Sequence, residues 1–188
     1  VEAFPKVNFS NVLVVPARGG MGRNVETQSN TLAASLAKKV NGTYKMLHIP
    51  ENLSDDILET LLKKKNISEV VDCIRKADIL LYGIGNAEHM AQKRGAEDSE
   101  IMKLIDLGAI GEAFGCYFNK KGEVVFRTAI VGLDINEARK IKTHIAVAGG
   151  KNKVSSIIST QLNNSNSILV TDEAAGKEIV RILSENIK

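Results

Sequence analysis

Alternation is the feature that most constrains this chain. Short runs rich in β-branched and aliphatic residues, VLVV at 12–15, ILLY at 79–82, IAVA at 145–148 and ILV at 168–170, are separated by longer segments of helical period. Apolar runs of three to five residues suit strands buried on both faces, the mark of a parallel sheet. Between them, Val154, Ile157, Ile158 and Leu162 form one helical stripe over 154–162, and Ile67, Val70, Val71 and Ile74 another over 67–74. A helix over 24–40 stacks Leu32, Leu36 and Val40 and stops at Gly42, and a last helix starts near Asp172 and uses Ile179, Ile182 and Leu183. One stretch breaks the rhythm: 112–118, then Asn-Lys-Lys-Gly, then 123–126 reads as a β-hairpin. The expectation is one α/β domain over 1–188, a sheet flanked by helices with an inserted hairpin.

Composition narrows the class. The 188 residues are 44% hydrophobic and 25% charged, enough for one core. Cys73 and Cys116 are too few for a disulfide scaffold, form no CxxC pair and read as buried, inert thiols. No apolar run approaches the roughly 20 residues that span a bilayer. The opening VEAFPKVNFS lacks the pattern of a signal peptide, so the expected compartment is the cytoplasm. With 25 Lys and Arg against 22 Asp and Glu, the net charge of +3 announces no nucleic acid. Lysines 63–65 read as a solvated helix face, and 4% aromatics without tryptophan offer no stacking platform for bases.

Ligands of open α/β sheets sit at the carboxyl ends of the strands, beside helix N-termini. After the first run comes Pro16-Ala-Arg-Gly-Gly-Met-Gly-Arg23, opening a helix. Gly19 and its neighbours let backbone N–H groups approach an anion, and Arg18 adds a fork of donors shaped for phosphate or carboxylate. Gln28 lies where it would point back to the same loop. The competing reading is a plain tight turn, and neither the Walker nor the dinucleotide glycine pattern is met. After the third run, Ala148-Gly-Gly150-Lys-Asn-Lys153 repeats the logic. A lysine at a helix start opposes the helix dipole unless an anion lies between, which singles out Lys153. Arg94, at the end of a short helix, reads by itself as a surface charge, Glu112 as a structural or surface carboxylate at a strand edge, and Thr171-Asp-Glu173 as a helix cap. His48, His89 and His144 lack metal-ligand spacing, and no nucleophile elbow is present, so no metal, cofactor or catalytic residue is expected. Two cationic glycine loops suggest a small ligand with two anionic ends, such as a sugar bisphosphate.

The stretches VLVVPARGGMGRNVETQSN, LLYGIGNAEHMAQKRG, GEAFGCYFNKKGEVV, IAVAGGKNKVSSI and ILVTDEAAGKEIV resemble the SorC family of bacterial transcriptional regulators. The resemblance implies a C-terminal effector-binding domain with a Rossmann-like, mostly parallel sheet, related to glucosamine-6-phosphate deaminase and ribose-5-phosphate isomerase. It implies fructose 1,6-bisphosphate or another glycolytic sugar phosphate as effector, and a homo-oligomeric repressor. By position, Arg18 and Gln28 match the family's phosphate and sugar contacts, Arg94 and Lys153 further phosphate contacts, and Glu112 the acid that meets sugar hydroxyls. The family's DNA-binding region and its Gly-Gly-Thr-Thr loop precede the stretch matched here, so DNA would be met only through that region. The alternative is a sugar-phosphate isomerase or deaminase on the same fold.

Overall fold

The computed structural model describes residues 1–19, 28–49, 55–128, 131–164 and 167–185. They form two compact units, Val1–Ala77 with Ala129–Ala138, and Asp78–Thr128 with Arg139–Lys188.

In the first unit, β1 (Leu13–Val14) runs parallel to β2 (Thr43–Tyr44), and α1 (Ser29–Val40) connects them. Residues 24–27 of the expected first helix lie outside the described residues. The buried stripe of α1 is Ala33, Ala37 and Val40, whereas Leu32 is 41% exposed. Small side chains, not leucines, therefore make the contact. The helix stop is also displaced by one residue: Asn41, at φ 55°, takes the left-handed cap position expected of Gly42. Gly42 is required for a different reason. A Cβ there would lie 3.2 Å from Val40 Cγ2 and closer still to the Val12 carbonyl oxygen, beside which the chain enters β2. Next come α2 (Asp55–Leu62) and α3 (Lys65–Arg75). Lysines 63–65 thus span a break between helices rather than one helix face. Ile67, Val70, Val71 and Ile74 are buried on α3 as their spacing predicts. Arg75 Nε donates 2.7 Å to Glu137 Oε1 on α6 (Ile135–Ala138), tying the returning segment to this unit.

The second unit starts with β3 (Ile79–Gly83) and β4 (Gly85–Asn86), followed by α4 (Ala87–Arg94) and α5 (Asp98–Asp106). Then come β5 (Ala109–Ala113), β6 (Cys116–Asn119) and β7 (Val124–Arg127). The unit closes with β8 (Thr143–Val147), a 3-10 turn (Lys151–Lys153), α7 (Val154–Gln161), β9 (Ser167–Val170) and α8 (Glu173–Glu185). Strands β3, β8 and β9 form a parallel sheet in that order, while β4, β5, β6 and β7 form an antiparallel one. The architecture is therefore α/β with mixed sheets, rather than a mostly parallel sheet carrying one hairpin.

Two sequence expectations fail here for physical reasons. Residues 112–118 are not one strand, because Phe114 and Gly115 both adopt positive φ, 57° and 73°, and turn the chain between β5 and β6. Two positive-φ residues are what a tight type I′ hairpin needs. The parallel strands are also not buried on both faces. Tyr82, Ala146 and Leu169 share one face and pack with Ile157 of α7 and Ile179 of α8. On the other face Ile79, Leu81, Val147, Ile168 and Val170 are 39–59% exposed. The helices of this unit that pack on the sheet, α7 and α8, both meet the first face. Leu162, just past α7, is 48% exposed and leaves the predicted stripe.

A second core lies between α4, α5 and the antiparallel sheet, built from Ala87, Ala91, Leu104 and Tyr117, each at most 1% exposed. No helix among the described residues is long and apolar enough to cross a membrane.

Candidate functional site

In the first unit, the loop after β1 is stitched to residues 131–133. Gly19 N–H donates to the Val131 carbonyl at 2.8 Å, Leu133 N–H donates to the Ala17 carbonyl at 2.8 Å, and Arg18 forms an antiparallel bridge with Gly132. Gly19 is buried, and a Cβ on it would meet the Ile49 carbonyl oxygen at 3.3 Å. Its glycine identity therefore follows from close packing, the ordinary tight-turn reading, as well as from any ligand. Gln28 stands at the N-cap of α1 in extended conformation, its carbonyl accepting from Leu32 N–H at 3.0 Å. Gly20, Met21, Gly22 and Arg23, the rest of the glycine loop, lie outside the described residues. Sequence reasoning missed Gly132: it follows the short apolar run Ala129-Ile130-Val131, which was not counted among the strand candidates.

In the second unit, several candidates gather where the parallel sheet hands over to the antiparallel one. Ile84 separates β3 from β4, and Gly85 pairs in register with Glu112. Lys153 Nζ donates to the Ile84 carbonyl at 3.2 Å. Glu112 is 6% exposed, and its Oε1 accepts from Gly115 N–H at 2.7 Å across the tight turn. A Cβ on Gly85 would lie 3.6 Å from Glu112 Oε2, so that carboxylate lies against the backbone of 84–85 as well. A lysine and a buried carboxyl group thus converge on one dipeptide at the carboxyl end of β3. This is the position at which a parallel sheet binds its ligands.

Arg94 reaches the same face from the last turn of α4. Its Nη2 donates to Glu100 Oε1 and to Tyr117 Oη, each at 2.8 Å, and its side chain is only 18% exposed. Tyr117 is cross-strand from Glu112, so both side chains project from one side of the sheet. Burial pushes the Tyr117 phenol up, against the pull of the Arg94 guanidinium. Arg94 is therefore an anchored cation rather than a surface charge, with the rest of its donor fork beyond the two bonds named. Because the buried phenol serves a half-buried guanidinium, Tyr117→Phe should lower stability by about 1–2 kcal/mol, read as a drop in Tm without change in far-UV spectrum.

Gly150, at φ 93°, opens the 3-10 turn that delivers Lys153. Its N–H donates to the carboxylate of Asp172, whose Oδ1 also accepts from Ala175 N–H at 2.9 Å at the start of α8. The predicted cap at 171–173 is present, and it reaches further than a cap. Backbone N–H groups of Ala175 and Gly150 hold the Asp172 carboxyl below its ordinary range.

His144 is 3% exposed on β8 and bonds Asn164 Nδ2 through Nδ1 at 3.2 Å. Cys116 is buried on β6, whereas Cys73 is half-buried with Lys45 Nζ 3.6 Å from its sulfur. No group of three or more His, Cys, Asp or Glu side chains among the described residues is placed to hold a metal ion.

Residues 1–181 match the family described as "Putative sugar-binding domain". The chain is 40% identical over 177 residues to the central glycolytic genes regulator of Priestia megaterium, covering 94% of this chain and 52% of that protein. It is 41% identical over 177 residues to its counterpart in Bacillus subtilis, with the same 94% and 52% coverage. The chain therefore spans about half the length of these curated relatives. Among solved structures, it is similar to "the putative SorC family transcriptional regulator from Enterococcus faecalis". That match has 38% identity and a TM-score of 0.84, and covers 90% of this chain and 69% of that one. The chain belongs to the sugar-binding domains of the SorC family of transcriptional regulators.

Proposed function

We propose that this chain is the effector-binding domain of a sugar-responsive transcriptional regulator, and that its effector is fructose 1,6-bisphosphate or another glycolytic sugar phosphate. The observation that carries the proposal is the convergence of Lys153 and Glu112 on residues 84–85. A cation for a phosphate and a carboxylate for hydroxyls are the two chemistries a sugar phosphate needs. The names of the relatives supply the biological setting, control of central glycolytic genes. Arg18, Gly19, Gln28, Arg94, Glu112, Gly150 and Lys153 are the proposed contacts. Binding would act in a homo-oligomer by favouring the state with weaker hold on DNA, and DNA would be met through a region outside these residues. A ligand shifts such an equilibrium only by its differential affinity for the two states.

Calorimetry on the full-length regulator tests this reading. Arg18→Ala and Lys153→Ala should each weaken fructose 1,6-bisphosphate binding by about 10- to 100-fold, the effect of losing one charge-assisted contact. Unchanged affinity in both variants would remove the site assignment. A buried carboxylate beside a lysine also favours a second reading, a sugar-phosphate isomerase or deaminase on a related fold. Turnover of ribose 5-phosphate or glucosamine 6-phosphate by the full-length protein would establish that reading instead.

A further inference from the structure

The loop that presents Lys153 is moulded on an internal anion. β8 and β9 stay paired to their carboxyl ends, where Ala148 N–H donates to the Val170 carbonyl at 3.1 Å. Beyond that bond the side chain of Asp172 joins the two loops. Asp172 spends one oxygen on Ala175 N–H, at the first turn of α8, and the other on Gly150 N–H. The backbone fits around it: a Cβ on Gly149 would collide with Asp172 Oδ2, and Gly150 holds a φ of 93° that side-chain-bearing residues rarely adopt. From Gly150 the 3-10 turn closes with Lys153 N–H on the Gly150 carbonyl at 3.0 Å, and the lysine side chain then reaches Ile84. The Gly149-Gly150 pair, read from sequence as a cradle for a ligand anion, thus accommodates a carboxylate of the chain itself.

We propose that Asp172 is a positioning residue for effector binding: by holding Gly150 N–H to the α8 start, it fixes the turn that aims Lys153 at the site. This rests on the sugar-phosphate reading above. The role is separate from capping, because the two oxygens do different work. Asparagine keeps an oxygen for Ala175 but turns an N–H donor towards Gly150, and serine caps a helix but is too short to reach Gly150. Both substitutions leave the cap and break the link. A turn no longer held must be ordered by the ligand at binding, which costs affinity.

The test is calorimetry with fructose 1,6-bisphosphate on full-length wild type, Asp172→Asn, Asp172→Ser and Gly149→Ala, the last displacing the carboxylate without removing it. All three variants should bind about tenfold more weakly, while the Asn and Ser variants stay folded at the assay temperature with only a modest fall in Tm from the lost Gly150 bond. The Gly150 amide proton should lose its carboxylate-bonded downfield position and its slow exchange in each of them. Wild-type affinity in the Asn and Ser variants overturns the positioning role, and tighter binding overturns it too, by making Asp172 a competitor of the effector. A wild-type protein that binds no sugar phosphate overturns the functional reading, and this inference with it.

Discussion

Gly111→Ala should lower stability by about 3 kcal/mol, the upper end of what overpacking a close backbone contact costs. Gly111 lies on β5 beneath α7 and is paired with Asn86 and Phe118 on its two sides. A Cβ there would fall 2.8 Å from the Ser156 carbonyl oxygen and 3.0 Å from Thr160 Cγ2, and closer still to Ser159 Oγ. A serine hydroxyl can rotate away, but a helix carbonyl cannot. That carbonyl is also engaged, accepting from Ser159 Oγ at 2.9 Å and Thr160 Oγ1 at 3.0 Å. The helix is held at this distance by Ser156 Oγ, which donates 2.8 Å to the Ile110 carbonyl of the strand. Relief of the clash therefore means lifting α7 off the sheet and breaking that bond. Thermal unfolding should show a fall in Tm of roughly 6–12 °C. Gly83→Ala is the control, since its nearest neighbour would be 3.8 Å away and its φ is ordinary. Equal effects of the two substitutions would show that close approach is not what selects glycine at 111.

The face of α7 that meets Gly111 explains how far the sequence could be read. Ser156, Ser159 and Thr160 are buried polar residues that return their hydroxyls to main-chain carbonyls. A reading built on apolar periodicity finds the helix from Val154 and Ile157 but not this second, close-packed face. The same limit applies to α1, where alanines rather than leucines are buried. Strands β3, β8, β9 and even the two-residue β1 within VLVV were legible because their apolar runs are continuous, whereas β2 and β4, of two residues each, carry no period at all. The turn at 114–115 was hidden because phenylalanine is an unusual occupant of positive φ, and GEAFGCYF reads as one apolar run. At the site, the glycine loops and Lys153 follow from the rule that chemistry lies after the strands. Three relations do not: Arg94 with Tyr117, Glu112 with the Gly115 amide, and Asp172 with Gly150. Each joins residues by a hydrogen bond, and two of them also cross elements; neither property leaves a periodic trace in sequence.

Gly132→Ala should cost about 2–4 kcal/mol and, in the full-length regulator, remove more affinity for fructose 1,6-bisphosphate than its global destabilisation explains. Gly132 has φ 141°, and a Cβ on it would lie 2.6 Å from Arg18 Cα and closer still to the Ala17 carbonyl oxygen. Both neighbours are backbone, so no rotamer change relieves the contact. The atoms displaced are those that set Arg18: the Arg18–Gly132 bridge, formed by the bonds of Gly19 to Val131 and of Leu133 to Ala17 on either side of it. Alanine therefore forces apart the Arg18–Gly132 pair between the two hydrogen bonds that form the bridge, and the loop carrying the guanidinium must move away. Lowering the temperature until the variant is fully folded separates the two effects, because population of the native state is then restored while the loop remains displaced. Under those conditions calorimetry should still show binding weakened by about tenfold or more, close to the loss produced by Arg18→Ala itself. The double variant should be no worse than either single one, since both disable the same contact. Full recovery of affinity on cooling would mean that the bridge supports folding alone and that Arg18 does not depend on it.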